Sequence, residues 1–505
     1  MSLFNPDAMK RISLLIPIVL LLLTPSCSDD FLERASLGTV DETNFLNTGQ
    51  DAIPATNAVY NTLRLWHYHG GGFSILDIMS DDAVKGSNPG DAIPIRAFDD
   101  FTYTPDQATI LNWYATLYQG VRRANTVIEK LPPLTDIDAG LKNRLLAEVR
   151  FLRALFYFDL VRGWGDVPKI TSIVPPDRPT RAPKEEIYRD IILPDLEFAA
   201  STLPERSDYP ARDLGRATRG AAKALLARVY LFRGDFANAE RWALEVIQSG
   251  EYSLDPDYSN AFSVTGEFGP GSVFEIGALP EGSFELGGNQ YGNTQAVRGS
   301  PNRGWGFNRP SYDLITFFPE EDPRLDATVV FLGEEIDGVR IMGDGSTPDT
   351  TYTDASRTQI AQIEAYNQKV WVPGTTAETS WGHNRRLIRY ADVLLMAAEA
   401  LNENGNQQDA LLYLNRVRAR ARGENPDILP DITTTDQGEL RQAIYEERRA
   451  ELAMEGLRFH DLVRTGRAAA VLGPLGFEEG QHELLPIPQS EIDISQGSLT
   501  QNPNW

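Results

Sequence analysis

The chain has 505 residues, of which 42% are hydrophobic and 10% aromatic, and this composition excludes a largely disordered protein. Its formal net charge of −24 argues against a nucleic-acid partner, because binding to phosphates needs a basic face. The single cysteine excludes an intramolecular disulfide framework.

The N-terminus has the pattern of a secretory signal peptide over residues 1–26. A short basic stretch precedes an apolar run at 13–23, which is too short to span a bilayer, since a membrane helix needs ~20 residues. Cys27 follows directly and resembles the lipobox cysteine of bacterial lipoproteins, whose thiol is acylated. We therefore predict a lipid anchor on Cys27, with translation starting at Met1 or Met9. The alternative is a secreted protein with one spare thiol.

Apolar residues at helical spacing predict four long helices outside the repeats described next. Pro194 is expected to kink the third of these helices, because proline lacks a backbone N–H and clashes with the preceding turn. The predicted helices cover 106–131, 141–162, 184–203 and roughly 437–465.

Two segments, 224–247 and 394–417, share the spacing of tetratricopeptide helix pairs. Each places small residues where two helices touch and a glycine, Gly234 or Gly405, at the turn between them. Between the two pairs, residues 250–380 are rich in Gly, Pro, Asn and aromatic residues, with only short strand-like pieces such as "SVFEIGA". We interpret this region as a functional loop surface on a helical scaffold.

Several segments, taken in their order, resemble the SusD/RagB family. They are "SDDFLE" directly after Cys27, "AEVRFLRALFYFDLVRGWGDVP", "LIRYADVLLMAAEALNE", "EERRAELAMEGLRFHDLVRTGR" and the ending "LLPIPQSEIDISQGSLTQNPNW". The resemblance extends from Cys27 to Trp505. It implies a SusD-like fold, which is mostly α, with tetratricopeptide-like helical pairs in an α-α superhelix, a large irregular loop-rich region and a few short strands.

The resemblance also implies a domain organisation and a function. An N-terminal region, 27–235, and a C-terminal region, 236–505, would form one integrated unit that is loop-rich at about 250–380 and helical at about 387–465. The protein would be a surface-exposed outer-membrane lipoprotein, without enzymatic activity or cofactor. It would bind oligosaccharides and deliver them to a SusC-like TonB-dependent transporter. The alternatives are a peptide-binding lid of such a transporter, a tetratricopeptide scaffold protein and a glycoside hydrolase.

Aromatic residues in loops are the candidates for ligand binding, because sugar rings stack on Trp and Tyr while polar side chains bond the hydroxyl groups. A first group lies in "LWHYHGGGF" and the segment after it, and a second lies in 289–314. The predicted ligand-binding residues are Trp66, His67, Tyr68, Asp81, Asp82, Asn88, Tyr291, Asn293, Arg303, Trp305 and Asn308. A third and weaker group comprises Trp381, His383 and Asn384, which are expected to pack the start of the following helix.

Motifs for catalysis or metal binding are absent from the sequence. It contains no G-x-S-x-G or H-E-x-x-H motif, and the acidic "DPDYSN" at 255–260 lacks the glycine and glutamate of a calcium loop, so we predict a turn there. The charged run "EERRAELAMEG" at 446–456 is interpreted as an ion-paired helix face, as are Arg389 with Glu399 and Arg458 with Asp461.

Overall fold

The computed structural model describes residues 46–69, 74–279, 288–345, 364–376 and 382–505. A division into two units falls after Asn47, and every element named below lies in the second unit, Thr48–Trp505. The predicted signal peptide, the lipid anchor on Cys27 and the segment that follows it lie outside the described residues.

Helices make up most of the described structure, as expected from the sequence. They are α1 Ala52–Thr62, α2 Ser74–Ile78, α3 Arg96–Asp99, α4 Ala108–Lys130, α5 Ala139–Trp164, α6 Lys184–Ile187, α7 Leu193–Thr202, α8 Arg219–Phe232, α9 Phe236–Gln248, α10 Tyr291–Gln295, α11 Tyr312–Phe317, α12 Pro323–Thr328, α13 Tyr390–Glu403, α14 Gln407–Arg422, α15 Gln437–Leu452, α16 Arg458–Arg464, α17 Ala468–Leu472 and α18 Gln489–Ile494.

The strands are short and pair only in twos within the described residues. All five pairs are antiparallel: β1 with β5, β2 with β3, β4 with β10, β6 with β9 and β7 with β8. The strands are β1 Ala83–Gly86, β2 Val167–Pro168, β3 Arg181–Ala182, β4 Ser272–Ile276, β5 Phe307–Pro310, β6 Val329–Phe331, β7 Glu335–Ile336, β8 Val339–Arg340, β9 Ala365–Asn367 and β10 Arg385–Arg389. Six of the ten strands lie within the predicted loop region 250–380, and "SVFEIGA" contains β4.

Both predicted helix pairs are confirmed. Helices α8 and α9 are joined through Gly234, and α13 and α14 through Gly405, with φ angles of 70° and 86° that favour glycine. Alanines such as Ala227 and Ala397 are fully buried where the helices touch, and their small size lets the backbones approach closely. Helix α9 packs against α13, so the two pairs, distant in sequence, stack on each other in the fold.

The long helices α4 and α5 pack side by side and lie within a few residues of the predicted bounds. The carboxylate of Asp138 caps α5 by accepting a hydrogen bond from Leu141 N at 2.8 Å, and Gly165, with φ of 72°, ends the helix. A Cβ atom on Gly120 of α4 would lie 2.5 Å from Phe156 of α5. This glycine therefore permits the close packing of the two helices.

Two helix predictions need correction. The predicted helix 437–465 is two helices, α15 and α16, because Met454 and Gly456 between them adopt positive φ angles of 63° and 74°. The predicted helix 184–203 contains a π-helical turn, Tyr188–Ile192, directly before Pro194. The wider turn accommodates the proline within the helical run, since proline cannot donate a hydrogen bond.

The charged run on α15 forms buried ion pairs with neighbouring elements, as predicted. The fully buried Glu451 lies 2.8 Å from Arg389 and 2.5 Å from Arg420, while Glu447 lies 2.6 Å from Arg324. Burial alone would raise the pKa of Glu451, but the guanidinium groups of Arg420 and Arg389 lower it to about 2. These pairs connect α15 to α14, α12 and β10.

The predicted partners of Arg389 and Arg458 were wrong. Arg389 pairs with Glu451 and Glu455, whereas Glu399 accepts from Arg464. Arg458 pairs with Asp81 at 2.8 Å. Asp461, its predicted partner, pairs with Arg448 and Arg464. Arg458 and Asp461 lie three residues apart on α16, but contacts from other parts of the chain decide the pairing, since Asp81 lies within reach of Arg458 and Arg448 of α15 within reach of Asp461.

Candidate functional site

The turn after α1 presents the first group of predicted ligand-binding residues. Tyr68 N and His69 N both donate to Leu65 O, at 2.9 and 3.2 Å, so the chain turns directly after the helix. Trp66 and His67 remain half-buried, whereas Tyr68 and His69 are buried. Burial lowers the pKa of His67, so its imidazole is neutral at neutral pH.

Two members of the second group, Arg303 and Trp305, lie on the loop that connects α10 to β5. Trp305 N donates to Asn293 O at 2.7 Å and Gly306 N donates to Ala296 O at 3.1 Å, so this loop folds back onto α10. A Cβ atom on Gly304 would lie 2.4 Å from Asn293 O, so only glycine permits this approach. The loop thereby holds Trp305 half-buried at the surface.

The two groups meet through their tryptophans. The ring centroids of Trp66 and Trp305 lie 5.7 Å apart with an interplanar angle of 62°, an edge-to-face contact. Such contacts are favourable for aromatic pairs and fix the relative orientation of the rings. We name Trp66 and Trp305 the tryptophan pair. It joins two predicted residues that are more than 200 positions apart in sequence.

A third tryptophan near this loop was missed in the sequence analysis. Trp371 is half-buried and its Nε1 donates to the exposed carboxylate of Asp337 at 2.6 Å. The guanidinium of Arg303, two residues before Trp305, lies 5.4 Å from the centre of the Trp371 ring. The signal in the sequence was a tryptophan two positions before Pro373 and Gly374 in the loop-rich region.

Asp81 and Asp82 lie in ion pairs below the surface. Arg458 Nε donates to Asp81 Oδ1 and Arg449 Nε donates to Asp82 Oδ1, both at 2.8 Å. The two carboxylates are 5% and 0% exposed. The two ion pairs therefore connect the segment before β1 to α15 and α16. We no longer count Asp81 and Asp82 among the candidate ligand contacts.

Tyr68 and Asn308 also make buried contacts within the protein. Tyr68 Oη donates to Asp159 Oδ2 at 3.0 Å. Asn308 Nδ2 donates to Asp77 Oδ2 at 3.0 Å and to Gln295 Oε1 at 2.9 Å. These side chains hold the backbone around the tryptophan pair instead of facing solvent.

Three further predicted residues make contacts within the protein. Tyr291 and Asn293 are buried in α10, and the Tyr291 ring lies 6.0 Å from that of His69. Asn88 shapes a turn, since its Oδ1 accepts a hydrogen bond from Gly90 N at 3.0 Å. Of the predicted set, Trp66, His67, Arg303 and Trp305 remain as the side chains best placed for contact with a ligand.

Two members of the third, weaker group are buried and bond to Phe262 and β4, while their packing against the start of α13 stays a prediction. His383 is buried with Nε2 3.0 Å from Phe262 O, and burial lowers its pKa to about 3. Asn384 Nδ2 donates to Glu275 Oε1 at 2.7 Å. Trp381 lies outside the described residues.

In the described part of the chain, no group of three or more His, Cys, Asp or Glu side chains is arranged to hold a metal ion. The segment "DPDYSN" is a turn, in which Asp255 Oδ1 accepts from Asp257 N at 3.1 Å. No helix among the described residues is long and apolar enough to cross a membrane.

A scaffold of stacked helix pairs that supports a loop surface with a half-buried tryptophan pair defines a helical-repeat protein with an aromatic surface group. Two family models match the chain: "SusD family" over residues 270–505 and "Starch-binding associating with outer membrane" over 78–231. The chain belongs to the SusD family, which confirms the resemblance seen in the sequence.

Relatives and solved structures match nearly the whole chain. SusD-like protein P2 of Formosa agariphila is 30% identical, over 97% of this chain and 98% of that protein. A laminarin-binding SusD-like protein has 30% identity and a TM-score of 0.75, covering 91% of this chain and all of that one. Surface glycan-binding protein A from Bacteroides thetaiotaomicron, in complex with laminarihexaose, has 26% identity and a TM-score of 0.75, covering 90% and 100%.

Proposed function

We propose that this protein binds oligosaccharides at the tryptophan pair and is not an enzyme. The observation that carries the proposal is the edge-to-face contact of two half-buried tryptophans at 5.7 Å. Contiguous aromatic surface on loops is typical of binding sites, and here two half-buried rings meet on loops. Sugar rings present C–H faces that stack on them.

Polar groups around the tryptophans supply the hydrogen bonds that a saccharide needs. Arg303 can donate to hydroxyl oxygens, and Asp337 can accept from hydroxyl groups beside the face of Trp371. A surface that runs from the tryptophan pair through Arg303 to Trp371 alternates stacking and hydrogen-bonding groups. This alternation fits a chain of several sugar units.

The angle within the tryptophan pair favours a chain that turns. Two sugars stacked on rings inclined by 62° cannot lie in one plane. Laminari- and malto-oligosaccharides turn between successive residues, whereas cello-oligosaccharides form a flat ribbon. The names of two structural relatives, which refer to laminarin and laminarihexaose, support the first of these classes.

Isothermal titration calorimetry of the purified chain against laminari-, malto- and cello-oligosaccharides tests the proposal. We expect binding to at least one of the first two series and weaker or no binding to the third. A parallel titration with peptide mixtures tests the peptide-binding alternative, for which Arg303 and Asp337 offer charged contacts. Binding of peptides without binding of any glycan would favour the peptide-binding alternative over oligosaccharide binding.

Delivery to a transporter is the second part of the proposal. The protein would be held at the outer face of the outer membrane by lipid on Cys27, and would pass its ligand to a SusC-like TonB-dependent barrel. The match to a family model described as associating with the outer membrane supports this location. Mass spectrometry of the processed protein is expected to find an acylated Cys27, and affinity purification from membranes is expected to recover the barrel.

The glycoside hydrolase alternative has weaker support. Asp81 and Asp82 are paired with arginines, and Asp99 Oδ1 accepts from Lys85 N at 2.8 Å, so these three carboxylates are engaged in contacts within the protein. Retention of intact oligosaccharide after long incubation with the protein is the expected result. Hydrolysis of the oligosaccharide would favour the glycoside hydrolase alternative.

A further inference from the structure

The loop that carries Trp305 is closed at its base by buried amide side chains. Gln295 is the last residue of α10, and Asn308 lies in β5, where the loop ends. Asn308 Nδ2 donates to Gln295 Oε1 at 2.9 Å. Both side chains are almost fully buried. A hydrogen bond between the two ends of a loop limits the motion of everything between them, and Trp305 lies three residues from one end.

The same amide reaches the part of the chain that carries Trp66. Asn308 Nδ2 also donates to Asp77 Oδ2 at 3.0 Å, and Asp77 lies on α2, the next helix after the Trp66 turn. Asp77 Oδ1 accepts from Gly456 N at 2.8 Å, which connects α2 to the junction of α15 and α16. One buried hydrogen bond therefore connects the Trp305 loop to Asp77 on α2, eleven residues after Trp66 in the chain.

A third segment joins this network at the same oxygen of Gln295. Asn367 Nδ2 donates to Gln295 Oε1 at 2.9 Å, and Asn367 ends β9, four residues before Trp371. Gln295 Oε1 thus accepts from two amides, one on each of the segments that lead to Trp305 and Trp371. Buried amides in such a network are costly to leave unpaired, so their partners define one arrangement.

We propose that Asp77, Asn308 and Gln295 are positioning residues that set the distance and angle between Trp66 and Trp305, and through them the affinity for glycan. This inference rests on the proposed function, since it assigns a role to groups behind the same surface. None of the three side chains touches the ligand. Their effect on binding is exerted through the ring geometry of the tryptophan pair.

Asn308→Gly is the variant that tests this inference. Asn308 has a φ of 52°, a conformation that glycine adopts without strain, so the substitution removes the amide and leaves the backbone free to keep its path. The matched control is Asn125→Ala on α4. Asn125 is also fully buried and its Nδ2 donates to Ile170 O at 2.9 Å, away from the tryptophan-bearing loops in sequence.

The readout that a merely structural role would not change is the far-ultraviolet circular dichroism of coupled tryptophans. Trp66 with Trp305 gives an exciton couplet, and Trp113 with Trp164, at 5.1 Å, gives a second one. The difference spectrum between the wild type and Trp305→Phe isolates the couplet of the tryptophan pair. Asn308→Gly is expected to reduce this couplet and to weaken glycan affinity by roughly tenfold. Asn125→Ala is expected to change neither.

The outcomes separate this inference from the proposed function. A couplet and an affinity that both survive in Asn308→Gly would overturn the inference while leaving the proposed function intact. Loss of the couplet in a protein that binds no glycan would support positioning and count against the function. Should Asn308→Gly fail to fold, Asn367→Ala tests the network from its other end, with a smaller reduction of the same couplet expected.

Discussion

The helical scaffold and the tryptophan-bearing loops are stabilised in different ways. The scaffold combines fully buried alanines between helix pairs with buried ion pairs on α15, so its stability depends on many contacts. The loop between α10 and β5 depends on single groups, such as the absent side chain of Gly304 and the amide of Asn308. We infer that scaffold substitutions change stability first, and loop substitutions change ligand binding first.

The largest effect is expected from Glu451→Ala in the scaffold. Removing this buried carboxylate leaves Arg389 and Arg420 without a shared partner, and breaking a buried ion pair in this way costs about 3–5 kcal/mol. Denaturant unfolding measures the loss. Glu446→Ala, on the exposed face of the same helix, is the control and should change stability by less than about 0.5 kcal/mol. Equal stability of the two variants would contradict the assigned role of the ion pairs.

A smaller loss of stability, with a larger loss of binding, is expected from Gly304→Ala. The new Cβ would overlap Asn293 O and Ala296 Cβ, so the loop must shift at a cost of about 1–3 kcal/mol. Calorimetric titration should show roughly tenfold weaker glycan binding, which corresponds to about 1.4 kcal/mol. Gly473→Ala is the control, because a Cβ there meets nothing within 4 Å. Unchanged affinity in Gly304→Ala would show that the loop position does not matter for binding.

The smallest effect is a pH dependence that Asp99 adds to the scaffold. Burial raises the pKa of Asp99 to about 7, although Lys85 N donates to its carboxylate. The folded protein therefore holds a proton that the unfolded chain releases between its ordinary pKa of 3.8 and about 7. Stability falls as pH rises through this window.

Asp99→Asn keeps the acceptor for Lys85 N and removes this titration. The variant should be more stable than the wild type at about pH 8, and the difference should disappear below about pH 4, where the carboxyl group is protonated in both the folded and the unfolded wild type. Thermal unfolding across this range measures the difference. A constant difference between the two proteins at all pH values would show that Asp99 does not titrate there.

The same contrast explains what the sequence could predict. Helix pairs such as α8 with α9 repeat a local spacing of small residues and a turn glycine, so the pairs and their turns followed from the pattern alone, although the helices extend beyond the predicted segments. The break after α15 did not, because its cause is the backbone conformation of Met454 and Gly456. A positive φ angle at a methionine does not alter the spacing of apolar residues, so the helical pattern could not predict it.

For the candidate site, sequence reasoning found the residue types but not which of them face solvent. Trp66 and Tyr68 lie two positions apart with similar surroundings in sequence, yet one is half-buried and the other bonds to Asp159. Asp82 is paired with Arg449, 367 positions away. Burial of this kind depends on contacts between distant segments, which a single sequence does not reveal.

The most direct test of the account is the affinity of Trp305→Ala for the oligosaccharide that the wild type binds best. The control is Tyr413→Ala, which removes a half-buried aromatic ring from α14 on the scaffold. Loss of a stacking ring should weaken binding by at least roughly tenfold, while the control keeps the affinity of the wild type. Wild-type affinity in a folded Trp305→Ala would contradict the central claim that the tryptophan pair binds the glycan.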